Sequence, residues 1–259
     1  MNHKPLILIS NDDGITAPGI RHLVEVTRDL GEVVVVAPSS PQSGMGHAIT
    51  IGNTIRLDQV QIFDNVLAYE CSGTPADCVK LAKHHVLRDR KPDLVLSGIN
   101  HGSNSSVSVL YSGTMSAAIE AALEGLPAIG FSLGDFEHQA DFSHTTPYIR
   151  QIIDHALANE LPRHLALNVN FPKKSEIPIK GVKTCRQALA RWQEEFDQRK
   201  DPRGRSYFWL TGSFLNLDAG TDTDEWALEN NYVSIVPCTF DLTAYHALST
   251  ISKQFDGIV

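Results

Sequence analysis

Along the chain, apolar residues gather in short unbroken runs separated by polar, glycine-rich joints. Leu6-Ile7-Leu8-Ile9 leads into Ser10-Asn11-Asp12-Asp13-Gly14, residues 32–37 read EVVVVA, and Leu94-Val95-Leu96 leads into Ser97-Gly98-Ile99-Asn100. Runs of this length bounded by turn residues are the pattern of strands buried on both faces of a parallel sheet. Between the first two, Ile20, Leu23, Val24 and Val26 recur at helical spacing until Gly31, predicting a helix over 19–30. Strand, helix and strand in that order imply a right-handed crossover and the start of a doubly wound α/β sheet. Further on, alternation over 49–71 predicts hairpin strands. Thr74-Pro75 predicts a helix start, with the helix running to about Leu87. Helices are expected over Gly113–Leu123 and Pro147–Glu160, and strands over Ala128–Leu133 and Leu165–Val169. A short helix over Thr221–Asn230, a strand over Tyr232–Pro237 and a helical tail after Asp241 complete the pattern.

The pattern changes between 173 and 220. Arg186, Arg191, Trp192, Phe196, Arg199, Arg203, Arg205, Tyr207, Phe208 and Trp209 interleave with few buried runs. This stretch is expected to leave the core as hairpins that pack on another subunit or close over a site; arginine between exposed aromatics is also a pattern for single-stranded nucleic acid.

With 259 residues, 42% of them hydrophobic and 20% charged, the composition is that of an ordinary globular chain. A net charge of −8 argues against nucleic acid or an anionic membrane as a partner held by the overall field. No apolar run reaches the roughly 20 residues of a membrane span, the run after Lys4 is too short for a signal-peptide core, and a cytoplasmic location is expected. Cys71, Cys78, Cys185 and Cys238 lack CxxC spacing and are expected to be free thiols. Neither GxGxxG after the first strand nor GxxxxGK[ST] anywhere is present, which removes the usual dinucleotide and P-loop readings.

The candidate chemistry sits where the strands end. In parallel sheets ligands gather at the carboxyl edge, and there Asp12 and Asp13 stand side by side before Gly14. Two carboxylates brought together repel unless a cation lies between them, and a hard divalent ion suits oxygen ligands; an Asx-turn with a helix cap is the structural alternative. The loop after the second strand, PSSPQSGMGH, offers Ser43 as a hydroxyl ligand, or as a solvated turn serine. The loop after the third long run carries Asn100 and then HGSNSSVSVLYS. At its end Ser112-Gly113-Thr114 opens a helix, offering backbone N–H groups and two hydroxyls to an anion, although serine and threonine also cap helices for purely structural reasons. Carboxylates, hydroxyls and a carboxamide beside a helix N-terminus suit a hard cation together with a phosphate group.

Taken in order, the motifs resemble those of the survival protein E nucleotidases. They are SNDDG at 10–14 with Ala17 and Gly19, VAP at 36–38 followed by Ser43-Gly44, GTPADCV at 73–79, PDLVLSGIN at 92–100 and YSGT at 111–114. Later come DPRGR at 201–205, Thr221-Asp222, YVSI at 232–235 and DLTA at 241–244. The resemblance covers nearly the whole chain. It implies an α/β fold, a Rossmann-like three-layer sandwich with a mostly parallel sheet, and a C-terminal hairpin extension used in oligomerisation. The expected division is a catalytic core over 1–172, an oligomerisation segment over 173–220 and a returning C-terminal part over 221–259. It implies a homodimer or homotetramer that hydrolyses nucleoside monophosphates, with 3′-nucleotides and polyphosphate as further substrates. One divalent metal ion, Mg2+ or Mn2+, is expected on Asp12, Asp13, Ser43 and Asn100. Catalysis falls to Asp12, Asp13 and Asn100, and phosphate binding to Asn104, Ser112, Gly113 and Thr114. Two departures stand out. Ser105-Ser106-Val107-Ser108 occupies a stretch where many relatives carry Gly and Asp, and Tyr245 stands after DLTA where many have His.

The expected reaction is attack of a metal-activated water on a phosphomonoester. An aspartyl-phosphate route is a rival, but it usually pairs its nucleophile with an acid two residues on, and here Gly14 or Ile15 holds that place. A noncatalytic nucleotide- or anion-binding module using the same loops is the alternative from another class.

Overall fold

The computed structural model describes residues 4–137, 139–159 and 161–258. Its main body is a nine-stranded sheet, flanked on both faces by helices. The opening runs form β1 (Leu6–Ser10) and β2 (Glu32–Pro38), joined by α1 (Pro18–Thr27). Helix α1 ends nearly a turn before the expected Leu30, where the Thr27 hydroxyl donates to the carbonyls of Leu23 and Val24 and competes with continuation of the helix. Strands β3 (Leu57–Val60) and β4 (Leu67–Cys71) form the expected antiparallel hairpin. Residues 49–56, expected in strands, are irregular: Thr50 is tied to Asp77, the Arg56 N–H donates to Ser72 Oγ, and the backbone has no ladder to join.

Helix α2 (Pro75–Leu81) starts with a capping box between Thr74 and Asp77 and continues as a π-turn over Ala82–Leu87. Next come β5 (Leu94–His101), a 3₁₀ turn (Ser106–Tyr111) inside the expected loop, α3 (Gly113–Leu123) and β6 (Ala128–Leu133). Helix α4 (Thr146–Ala158) and β7 (Ala166–Phe171) follow; Glu160, expected to end that helix, lies outside the described residues. A short β8 (Val182–Thr184) precedes the long hairpin β9 (Ala190–Lys200) and β10 (Ser206–Asn216), which pair with each other over eleven residues. The chain returns through α5 (Asp224–Glu229) and β11 (Val233–Cys238), then ends in α6 (Leu248–Phe255), which buries none of its residues.

The sheet order is β3-β4-β2-β1-β5-β6-β7-β11-β8, parallel from β4 to β7. Alternation within each strand fills two cores. Ile7 and Ile9 face the α1 and α4 layer with Ile20, Leu23, Ile149 and Ile153. Leu6 and Leu8 face the α2 and α3 layer with Val79, Met115 and Ala118. Close packing places α1 tightly over β5: a Cβ on Gly19 would lie 1.9 Å from the Ile99 carbonyl oxygen, so only glycine fits. No helix among the described residues is long and apolar enough to cross a membrane, and all four cysteines are free.

Candidate active site

From β1 the chain crosses to β2 on one side, while β5 lies on the other, so the loops after β1 and β5 diverge and leave a crevice at their carboxyl ends. Asp12 and Asp13 occupy this switch point. Asn11 Nδ2 donates to the Gly14 carbonyl at 2.8 Å, and Gly14, at φ +98°, turns the chain so that the Ile15 N–H reaches Pro38 at the end of β2. The turn is thus closed by the Asn11 amide as a donor, not by an aspartate carboxylate in an Asx-turn, and neither carboxylate takes part in it.

Asp12 is only 3% exposed and faces the start of α3. The Thr114 hydroxyl donates to its Oδ1 at 2.5 Å, and a Cβ on Gly113 would lie 2.6 Å from the Asp12 Cβ. Burial and the neighbouring Asp13 charge push the Asp12 carboxyl up to about 6, against the opposing bond from Thr114. Ser112 is the helix cap, its Oγ accepting from the Met115 N–H. Both hydroxyls expected to face an anion are thus engaged within the protein, one as cap and one on Asp12. The Gly113 and Thr114 amides, in the first turn, have no intrahelical acceptor.

Asp13 Oδ2 accepts from the His101 backbone N–H at 3.2 Å and lies 3.1 Å from His101 Nδ1. The other ring nitrogen, Nε2, is buried without a hydrogen-bond partner, and the ring meets Phe142 edge-on. A bulge presents this segment: β5 advances three residues from Ser97 to Asn100 while β6 advances two, from Gly130 to Ser132. Gly98 permits it, because a side chain there would run into the Phe131 carbonyl. Asn100 is 9% exposed; its Nδ2 donates to the Gly102 carbonyl at 2.7 Å, so Oδ1 is the side-chain atom that could take an ion.

Ser43 is exposed on the loop after β2. That loop is pinned beside it, since the Gln42 N–H donates to the Asp12 carbonyl at 2.7 Å and the Gly46 N–H to that of Tyr111. Its far end is held by His47 and Lys80 together on Glu120, a buried carboxylate of α3, at 2.9 and 2.6 Å.

Asn104 turns inward: its Nδ2 donates to Ser132 Oγ, its N–H to Asn170 Oδ1, and its carbonyl accepts from Asn168. Sequence reasoning missed His101, Asn168, Asn170 and Asp224. The two asparagines alternate with apolar residues on β7, and two carboxamides on one face of a buried strand were the available signal. Asp224, from α5, accepts from the Ser106 N–H at 2.8 Å and from the Ala188 N–H, so a distant carboxylate holds the loop that carries no acid of its own. Tyr245 and His246 lie in the C-terminal segment, with Tyr245 exposed and bonded to Asp241.

Among the described residues no basic side chain bonds Asp12 to offset its charge, and its side-chain partner is a hydroxyl. Among the described residues no cluster of three or more His, Cys, Asp and Glu is placed to hold an ion. The donor set is instead two carboxylates supplemented by neutral oxygens, which fits a hard divalent ion and would relieve the repulsion between Asp12 and Asp13.

A doubly wound α/β chain with an acidic oxygen site at its switch point and a helix N-terminus facing it defines a class of phosphate-handling proteins. Residues 7–194 match the family model described as survival protein SurE. The chain is 67% identical over 98% of both sequences to the protein named 5′-nucleotidase SurE from Cytophaga hutchinsonii. It is 62% identical over 96% of both to the one from Christiangramia forsetii. The crystal structure of SurE protein from Aquifex aeolicus superposes with a TM-score of 0.83 at 38% identity, covering 97% of this chain and all of the other. The chain belongs to the SurE family.

Proposed function

We propose that this chain is a 5′-nucleotidase that hydrolyses nucleoside 5′-monophosphates to nucleoside and phosphate, with one divalent ion, Mg2+ or Mn2+, held by Asp12, Asp13, Ser43 and Asn100. The observation that carries the reading is the buried Asp12 beside Asp13, with no basic side chain bonded to Asp12 among the described residues and the N-terminus of α3 packed against it. The names of the relatives supply the substrate class. When bound, the ion supplies the Lewis acidity that neutralises phosphoryl charge and makes a water acidic.

The chain's own groups supply the remainder. The amides of Gly113 and Thr114 receive phosphoryl oxygens in the field of the helix dipole. Thr114 holds Asp12 through Oδ1, and His101 holds Asp13 through Oδ2. Asn100 offers its carbonyl oxygen to the ion, because its amide is spent on Gly102. Asn104 shapes the loop through Ser132 and the β7 asparagines and contributes to the phosphate site by position. Turnover of 3′-nucleotides and polyphosphate belongs to the same reading.

The hairpin serves association into a homodimer or homotetramer, supported by its row of exposed aromatic and aliphatic side chains. A cytoplasmic setting accords with the four free thiols.

The test is inorganic phosphate release from a panel of nucleoside monophosphates with added divalent metal, comparing the native chain with Asp13→Asn. Metal-dependent release that falls by about a hundredfold or more in the variant is the expected result. A folded native chain that binds nucleotide and releases no phosphate with any metal would replace this reading with a noncatalytic binding module.

A further inference from the structure

Beside the helix entry lies a cleft of about 520 Å3 that the hydrolytic chemistry does not use. Gly44 and Tyr111 form one side, and Trp192, Glu194, Leu210 and Gly212 of the hairpin form the other. Each side is continuous with the phosphate-handling parts. Gly44 follows Ser43, Tyr111 precedes the helix cap Ser112, and the two loops are joined by the bond from the Gly46 N–H to the Tyr111 carbonyl. Strand β9 packs against the 3₁₀ turn that ends at Tyr111.

The lining has a definite chemistry. Tyr111 is 58% and Trp192 46% exposed, so two aromatic side chains stand partly open to solvent in one cleft, Trp192 steadied by a T-shaped contact with Phe214. Gly212 sits opposite Glu194 in the ladder at φ +140°, and a Cβ there would lie 2.2 Å from the Gln193 carbonyl oxygen, so the floor carries no side chain at that point. Glu194 is the one charged lining residue among those described. A carboxylate there repels a phosphate, so an anionic ligand must keep its charged end outside, toward the amides of α3, and place a neutral, flat portion within. The cleft is of the size that encloses small ligands, and stacking on aromatic faces is the general means of holding a base.

We infer that this cleft seats the nucleobase of the substrate, with Trp192 and Tyr111 as its stacking faces. The assignment rests on the proposed nucleotidase reading. It makes the hairpin root part of substrate recognition as well as a support for association, and it makes Trp192 a specificity residue remote from the reacting phosphorus.

The test compares adenosine 5′-monophosphate with ribose 5-phosphate, which has the same phosphoester and no base. Phosphate release is measured for the native chain, Trp192→Ala and Trp192→Phe, with Mg2+ or Mn2+ added. Loss of one stacking face should raise KM for the nucleotide about tenfold more than KM for the sugar phosphate, and phenylalanine should restore most of the difference. Equal changes for both substrates, or no change, would overturn the assignment. So would a fall in oligomer mass by light scattering without a change in the ratio, since Trp192 would then be a contact between copies. If the native chain hydrolyses neither compound, the catalytic reading fails, and calorimetric binding of adenosine 5′-monophosphate decides the cleft separately. A tenfold weaker Kd in Trp192→Ala sustains it, while unchanged affinity or no binding by the native chain overturns it.

Discussion

The switch-point crevice buries polar side chains, whereas the long hairpin exposes apolar ones. At the crevice, Asp12, Asn100, Asn104, Ser112 and Thr114 are all buried, and each is held by hydrogen bonds to another residue, most often on a different element. Along the hairpin, Phe196, Phe208 and Leu210 are 57–67% exposed, and β9 and β10 pair only with each other. The contrast separates two ways of making a position count. A crevice residue matters because neighbours leave it one place to be; an outer hairpin residue matters through what is brought to it. Substitutions in the first region should therefore damage chemistry and fold together, whereas those in the second should alter association and leave the protomer intact.

The largest expected effect comes from Gly113→Ala. The added methyl would sit 2.6 Å from the Asp12 Cβ, so either α3 or the β1 loop must move. Both the amide cradle and the buried carboxylate shift with it. Phosphate release should fall by about a hundredfold or more, and unfolding free energy should drop by about 2 kcal/mol, in the range of overpacked interiors. Gly52→Ala is the control, since nothing lies within 4 Å of its added methyl. Near-native activity in Gly113→Ala would mean that the close approach has no functional consequence.

An effect of comparable size, and of opposite sign for stability, is expected from Asp12→Asn. In the folded, metal-free chain the Asp12 carboxyl titrates near 6, above its ordinary value of 3.8, because burial and Asp13 disfavour the charged form. The unfolded chain therefore loses this proton first as pH rises. The contribution to stability is intact below about pH 4, is lost progressively between 4 and 6, and becomes a standing penalty above 6, of up to about 3 kcal/mol. Asparagine removes that penalty while keeping the shape. With chelator present, Asp12→Asn should be more stable than the native chain at pH 7 and no more stable at pH 4, as chemical denaturation would show. The same variant should lose phosphate release. Equal stability at both pH values would deny that the pair is strained without a cation.

How far the sequence could be read follows the same division. The buried strands, the Thr74 cap, α3 from Gly113 to Leu123 and β6 from Ala128 to Leu133 were legible because burial on both faces and cap chemistry write themselves into local composition. The gathering of Asp12 with Gly113 and Thr114 was legible as a shared sheet edge, but its detail was not. Whether the Thr114 hydroxyl turns to a ligand or to Asp12 depends on a loop 102 residues away in the chain. Residues 49–56 read as strand because they alternate, yet alternation does not reveal that Asp77 will claim Thr50. Asp224, holding Ser106 from 118 residues on, left no local mark at all.

The least disruptive prediction tests the hairpin beyond the cleft. Phe196 pairs across the ladder with Leu210, and Phe208 with Gln198, so the two phenylalanines share one face as diagonal neighbours, outward of Trp192. Their rings are 67% and 57% exposed in the protomer. Replacing both with serine removes apolar surface that the protomer itself does not cover, and exposed substitutions of this kind shift monomer stability by about 0.5 kcal/mol or less. If this face is the contact between copies, the double variant should lose mass by light scattering, and the concentration dependence of the native melting midpoint should disappear with it. Phosphate release should survive to the extent that Trp192 and the crevice belong to a single protomer. A variant with unchanged mass would free the outer hairpin from any part in association and confine the significance of this extension to its root.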